Sequence, residues 1–131
     1  LKLASLRVPL PFGGIKNIRS LVSGDNLVDL ICTCLTHQDA KNNVFLVSDD
    51  DDISTPDLCR LVSKAGGYRS RIFSFPLSLL SIALGIIGKK AVYERLFGSI
   101  EVDIEFTKSQ LNWTPPFKVV DCIVDCWPDK D

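Results

Sequence analysis

Prolines and glycines cut this chain before any regular segment can run long, and that punctuation limits what it can build. Pro9-Leu-Pro-Phe-Gly-Gly14 has to be a loop. Its two prolines lack backbone donors, and its two glycines admit angles that other residues avoid. Gly24, Gly66-Gly67, Pro76 and the stiff, aromatic-flanked Trp113-Thr-Pro-Pro-Phe117 mark further breaks. Between them, Leu3–Pro9, Val44–Ser48, Arg71–Phe75 and Ile100–Ile104 read as strands, and Arg19–Ser23 as an extended run. Helices are expected over Asn26–His37, Pro56–Ala65, Pro76 to about Gly88, Lys90–Phe97, Phe106–Leu111 and Lys118–Cys126. Gly24-Asp25-Asn26 would cap the first of these, whose Leu27, Leu30, Ile31, Cys34 and Leu35 share one face. Ser54-Thr55-Pro56-Asp57 is a strong helix start, with Thr55 as the cap. The order β-α-β-α-β-α-α-β-α-α indicates a mixed α/β or α+β piece.

The chain has 131 residues, which suits one domain over 1–131. A chain of this size buries roughly two-thirds of its extended-chain area, enough for an ordinary core. Hydrophobic residues at 46% and charged residues at 24% are globular values and argue against disorder. Even so, the sequence opens on Leu1 in mid-pattern, and several expected faces exceed what so short a chain can cover. It reads as a piece of a longer protein, and its uncovered faces would allow self-association.

A net charge of -1 and a pI near 5.8 exclude a broad basic surface, so nucleic acid is not an expected partner. An acidic small molecule needs only a few local cations. The five cysteines form no Cys-x-x-Cys pair. Cys122 and Cys126 share a helical face and could hold a metal, but His37, the only histidine, offers no second ligand cluster. The plainer reading is buried free thiols in a reducing compartment, the cytosol. Leu77–Ile87 is apolar but too short for a hydrocarbon core that needs about 20 residues. With Lys89 and Lys90 following, it could lie on a membrane surface; packing into the core or against another subunit is plainer. Asp49–Asp52 lacks the pattern of a calcium loop and reads as solvated charge ahead of a helix, where it favours the positive end.

A search for chemistry finds no Gly-x-Gly-x-x-Gly, P-loop, Gly-x-Ser-x-Gly elbow or Tyr-x-x-x-Lys pair. This chain therefore lacks a catalytic centre of its own. Anion binding remains. Arg19 precedes an extended run and a capped helix, and Arg95 precedes the strand at 100–104. Two converging guanidinium groups could clamp a diphosphate bidentately. The plainer alternative is surface ion pairing, and Arg7, Arg60, Arg69 and Arg71 offer the same chemistry.

Several segments taken in order resemble the extended short-chain dehydrogenase/reductases that act on sugar nucleotides. Leu6-Arg-Val-Pro-Leu-Pro-Phe-Gly13 followed by Arg19-Ser-Leu-Val-Ser-Gly-Asp-Asn-Leu-Val-Asp29 is similar to that family's substrate loop and the Arg-Asp-Tyr/Phe-Val stretch after it. Asn43-Val-Phe-Leu-Val-Ser48 with Ile53-Ser-Thr-Pro-Asp-Leu58 resembles its strand-to-helix step. Asp103-Ile-Glu-Phe-Thr-Lys-Ser-Gln-Leu-Asn-Trp-Thr-Pro115 resembles its late Asp-x-Ser-Lys…Leu-Gly-Trp-x-Pro motif. The likeness covers the family's C-terminal part and is nearest to its UDP-hexose 4-epimerase-like members of surface-polysaccharide synthesis.

The resemblance implies a UDP-sugar substrate. It implies NAD bound by an N-terminal region that would be this chain's main partner. It also implies a mechanism of transient oxidation whose catalytic residues are not in this sequence. By the same resemblance Arg19 contacts substrate phosphate, Leu10, Pro11 and Phe12 line the nucleobase pocket, and Arg95 is a second phosphate ligand. Ser20 and Asn26 stand where the family commonly has Asp, and both read as capping variation.

Overall fold

The computed structural model describes residues 9–76, 78–79 and 97–126. Most of the expected strand at 3–9, the apolar segment 77–87 and the helix at 90–97, with Arg95, lie outside them. The described residues belong to two compact units. One takes residues up to Arg19 together with Ile53–Ser99; the other is Ser20–Asp52 with Ile100–Cys126.

The second unit holds three helices: α1 (Gly24–Thr36), α3 (Glu105–Leu111) and α4 (Val119–Asp125), with a short 3-10 turn over Gln38–Ala40. The first holds α2 (Thr55–Ala65). Both long helices start earlier than the sequence suggests, α1 by two residues and α2 by one. Ser23 is extended, and its hydroxyl accepts the Asn26 N–H at 3.2 Å. Ser54 likewise accepts the Asp57 N–H at 3.2 Å, which corrects the assignment of Thr55 as the cap. The Ser54 hydroxyl and, after it, Arg60 hold the exposed Asp57 carboxyl below its usual range. Helix α2 ends as expected at Gly66-Gly67, where Gly67 takes a φ of 67° and the Tyr68 N–H returns to the Ser63 carbonyl at 2.8 Å.

Among the described residues the expected strands do not become a sheet. Among the described residues the structure is mostly helical, with isolated bridges at Leu10↔Ile72 (parallel) and Arg19↔Ile53 (antiparallel). Residues 44–48, 71–75 and 100–104 form no ladder. A ladder needs a neighbouring backbone to meet alternate N–H and C=O groups. Side chains take some of these groups instead: Thr107 donates to the Leu46 carbonyl at 2.7 Å, and Ser20 accepts the Val102 N–H at 2.8 Å. The period-2 pattern survives without pairing. Phe45 and Val47 pack against the core, while Val44 (84% exposed) and Leu46 face outward.

The core of this unit is Leu30, Ile104, Leu111 and Trp113, with Cys34, Ala40 and Val102 packed on it. Only part of the expected face of α1 reaches it. Leu30 is buried and Cys34 packs beneath, but Leu27, Ile31 and Leu35 are exposed, because this unit lays no second apolar layer over them. The thiols depart from expectation too. All five are unpaired, yet none is buried: Cys32 and Cys126 are exposed and the others half-buried.

Candidate functional site

In the first unit, three stretches of chain meet around residues 17–19. Arg19 and Ile53 exchange both backbone hydrogen bonds at 3.0 Å. Asn17, 3% exposed, accepts the Thr55 N–H on Oδ1 at 3.0 Å. It donates from Nδ2 to the Thr55 hydroxyl at 2.8 Å and to the Gly98 carbonyl at 3.2 Å. The Ile18 N–H donates to the Ser99 hydroxyl at 3.0 Å. A helix leaves its first amides without partners; here Asn17 meets the one at Thr55.

Arg19 lies across this junction. Its Nη2 reaches the Gly98 carbonyl at 3.5 Å, while its Nε is buried with no hydrogen-bond partner among the described residues. A buried guanidinium N–H left without an acceptor costs on the order of 1–3 kcal/mol.

The loop at 10–14 is held elsewhere in the same unit. Leu10 donates to the Arg71 carbonyl at 2.8 Å and accepts the Phe73 N–H at 3.0 Å. The Gly13 N–H donates to the Phe73 carbonyl at 3.0 Å, and the Phe12 carbonyl accepts the Ile15 N–H at 3.1 Å. Leu10, Pro11 and Phe12 are half-buried. With its backbone committed to residues 71 and 73, Leu10 offers a ligand chiefly its side chain. Gly13 is needed for close approach: a Cβ there would stand 2.9 Å from the Phe73 carbonyl carbon and the Ser74 nitrogen. Gly13→Ala must push the loop off residues 73–74. It is expected to lower stability by about 1–3 kcal/mol, read as an earlier urea midpoint.

Beside this loop is a cavity of about 200 Å³ lined by Gly67, Tyr68, Arg69 and Arg71. Sequence spacing left these arginines as undifferentiated alternatives. In the second unit a cavity of about 280 Å³ is walled by Leu21, Val119, Ile123 and the two helical thiols, with Asp49 at one side. Asp49 is buried, which corrects the expectation of a fully solvated acidic run. Its Oδ1 accepts from the Ser23 N–H (2.9 Å), the Ser23 hydroxyl (3.2 Å) and Asn26 Nδ2 (2.6 Å). Asp50 remains outside, where Lys108 pairs with it at 2.9 Å and with Glu105 at 2.8 Å. Those two partners hold the Lys108 ammonium above its usual range. Asn26 is no cap. It is fully enclosed, and besides Asp49 it exchanges hydrogen bonds with both backbone groups of Phe117 at 2.8 and 3.0 Å.

Among the described residues no helix is long and apolar enough to cross a membrane, and no group of three or more His, Cys, Asp or Glu could hold a metal ion. Nor do the first turns of α1 and α2, the two long helices among the described residues, fit NAD. A dinucleotide's pyrophosphate seats on a glycine-rich helix N-terminus. The first turn of α1 faces the Asp49 carboxylate, and that of α2 is filled by Ser54 and Asn17.

No family model and no solved structure matches the chain. Its similarity among curated proteins is to an epimerase of nucleotide sugars. That relative is UDP-glucose 4-epimerase of Vibrio cholerae, 44% identical over 117 residues. The aligned residues are 88% of this chain and 36% of the relative, so the chain spans little more than a third of the relative's length. The resemblance carried by the motifs is borne out: most of this chain is homologous to part of a UDP-glucose 4-epimerase.

Proposed function

We propose that this chain is the substrate-binding, C-terminal part of an NAD-dependent nucleotide-sugar epimerase or dehydratase, UDP-hexose 4-epimerase-like and cytoplasmic, in surface-polysaccharide synthesis. Its role is to hold a UDP-sugar by the diphosphate, with Arg19 as the phosphate ligand, Arg95 as a second, and Leu10, Pro11 and Phe12 along the base. NAD and the catalytic groups belong to a partner region on the same enzyme. Held alone, the 131 residues bind and do not turn over. Binding energy gathered at the diphosphate would position the sugar ring for chemistry supplied elsewhere.

The observation that carries this reading is the buried Nε of Arg19, which has no partner among the described residues. The homology to a UDP-glucose 4-epimerase supplies the ligand class. Arg19→Ala is expected to weaken UDP binding by about 1.5–3 kcal/mol, the usual worth of a hydrogen bond to a charged group. Calorimetric titration of the chain with UDP measures it. Equal affinity in the wild type and the variant removes Arg19 from the site, and no binding by either chain defeats the reading as a whole.

A further inference from the structure

Asn17 and Arg19 converge on one acceptor, the Gly98 carbonyl. We infer that Asn17 is a positioning residue for the Arg19 guanidinium: it fixes the Gly98 carbonyl on which Nη2 rests and so holds the guanidinium in one orientation for an anionic ligand. The inference rests on the substrate-binding reading above and adds a residue that makes no ligand contact itself.

A flexible arginine has many rotamers, and a binding site loses affinity for each that must be frozen. Here one end of the guanidinium is pinned through a chain of contacts that starts in α2. The Thr55 amide and hydroxyl orient the Asn17 amide plane at 3.0 and 2.8 Å, which directs Nδ2 to Gly98 at 3.2 Å. The bond from Ile18 to Ser99 holds the two segments in register next to it. The side chain of Asn17 is 3% exposed, so these contacts are not shared with bulk solvent. The arrangement needs both halves of an amide. An acceptor alone satisfies α2; only a donor beside it can hold the carbonyl.

Asn17→Asp separates the two roles, because with the Arg19 guanidinium on the same carbonyl the carboxyl is expected to stay ionised, still accepting from Thr55 but unable to donate to Gly98. Two readouts follow. The first is UDP titration of the wild type, Asn17→Asp, Arg19→Ala and the double variant. Asn17→Asp is expected to weaken UDP about ten-fold, and to add little in the Arg19→Ala background, since residues acting through one another are not additive. The second readout needs no ligand: the NMR signal of the Arg19 Nε–H, assigned by its loss in Arg19→Ala. It should shift, and exchange with water faster, in Asn17→Asp. An unmoved Nε–H signal overturns the inference whatever the ligand does. A ten-fold loss that persists in full in the Arg19→Ala background also overturns it, because Asn17 would then act by another route. If Arg19→Ala binds UDP as the wild type does, the substrate reading falls, and the Nε–H signal still decides whether Asn17 positions the group.

Discussion

Trp113→Ala is expected to lower the stability of the second unit by about 3–5 kcal/mol, the range for deleting a large buried aromatic. Trp113 is 5% exposed and shares the core cluster with Leu30, Ile104 and Leu111. It joins parts of the chain far apart in sequence, and its indole N–H donates to Asp29 on α1 at 2.7 Å. The cluster is small, so neighbours have little with which to refill the space. Trp113→Phe keeps most of the apolar volume and loses the bond to Asp29, which is exposed and can turn to water. Its cost should be about 1–2 kcal/mol. Urea unfolding followed by far-ultraviolet circular dichroism measures both. If the alanine variant unfolded within 1 kcal/mol of the wild type, the four-residue cluster could not be what holds this unit together.

Local signals in the sequence were legible where cause and effect lie within a few residues. The start of α2 at Ser54-Thr55-Pro56 and its end at Gly66-Gly67 follow from capping chemistry that the neighbouring residues carry. The caps themselves were misplaced by one to three positions, since Ser, Thr and Asn all accept an amide and only geometry selects among them. Among the described residues the strands were legible as a pattern but form only isolated bridges. Residues 44–48 keep their in-out alternation, but a ladder depends on a neighbouring backbone that the pattern does not encode.

The site divides in the same way. Arg19 was singled out by its position and by resemblance, and its Nε has no hydrogen-bond partner among the described residues. Asn17 had no signal at all, because its partners stand 38 and 81 residues away. A polar side chain whose purpose is a distant backbone group looks, in one dimension, like any surface asparagine.

Asn26 shows the same long reach, and its substitution by aspartate gives the second large effect. The change is isosteric and matches the residue the family commonly places there, yet it should be severely destabilising at neutral pH. Nδ2 of Asn26 donates to the buried Asp49 carboxylate at 2.6 Å and to the Phe117 carbonyl at 2.8 Å, while Oδ1 accepts the Phe117 N–H. Asn26→Asp keeps the last contact and replaces both donors with a second carboxylate facing the first. An uncompensated buried charge costs about 3–5 kcal/mol. The introduced carboxyl escapes that cost by keeping its proton, so its pKa in the folded chain lies above the unfolded value of about 3.9. The sign follows from proton counting. Above pH ~4 the folded variant holds a proton that the unfolded chain has released, and its stability falls as pH rises, by up to ~1.4 kcal/mol per unit. The deficit relative to the wild type should therefore be smallest near pH 4, grow upward and level off once the folded carboxyl ionises. Urea midpoints of both chains between pH 4 and 8 measure it. A difference that stays flat across that range would mean the side chain at 26 has turned out of its pocket and Asp49 has found another donor.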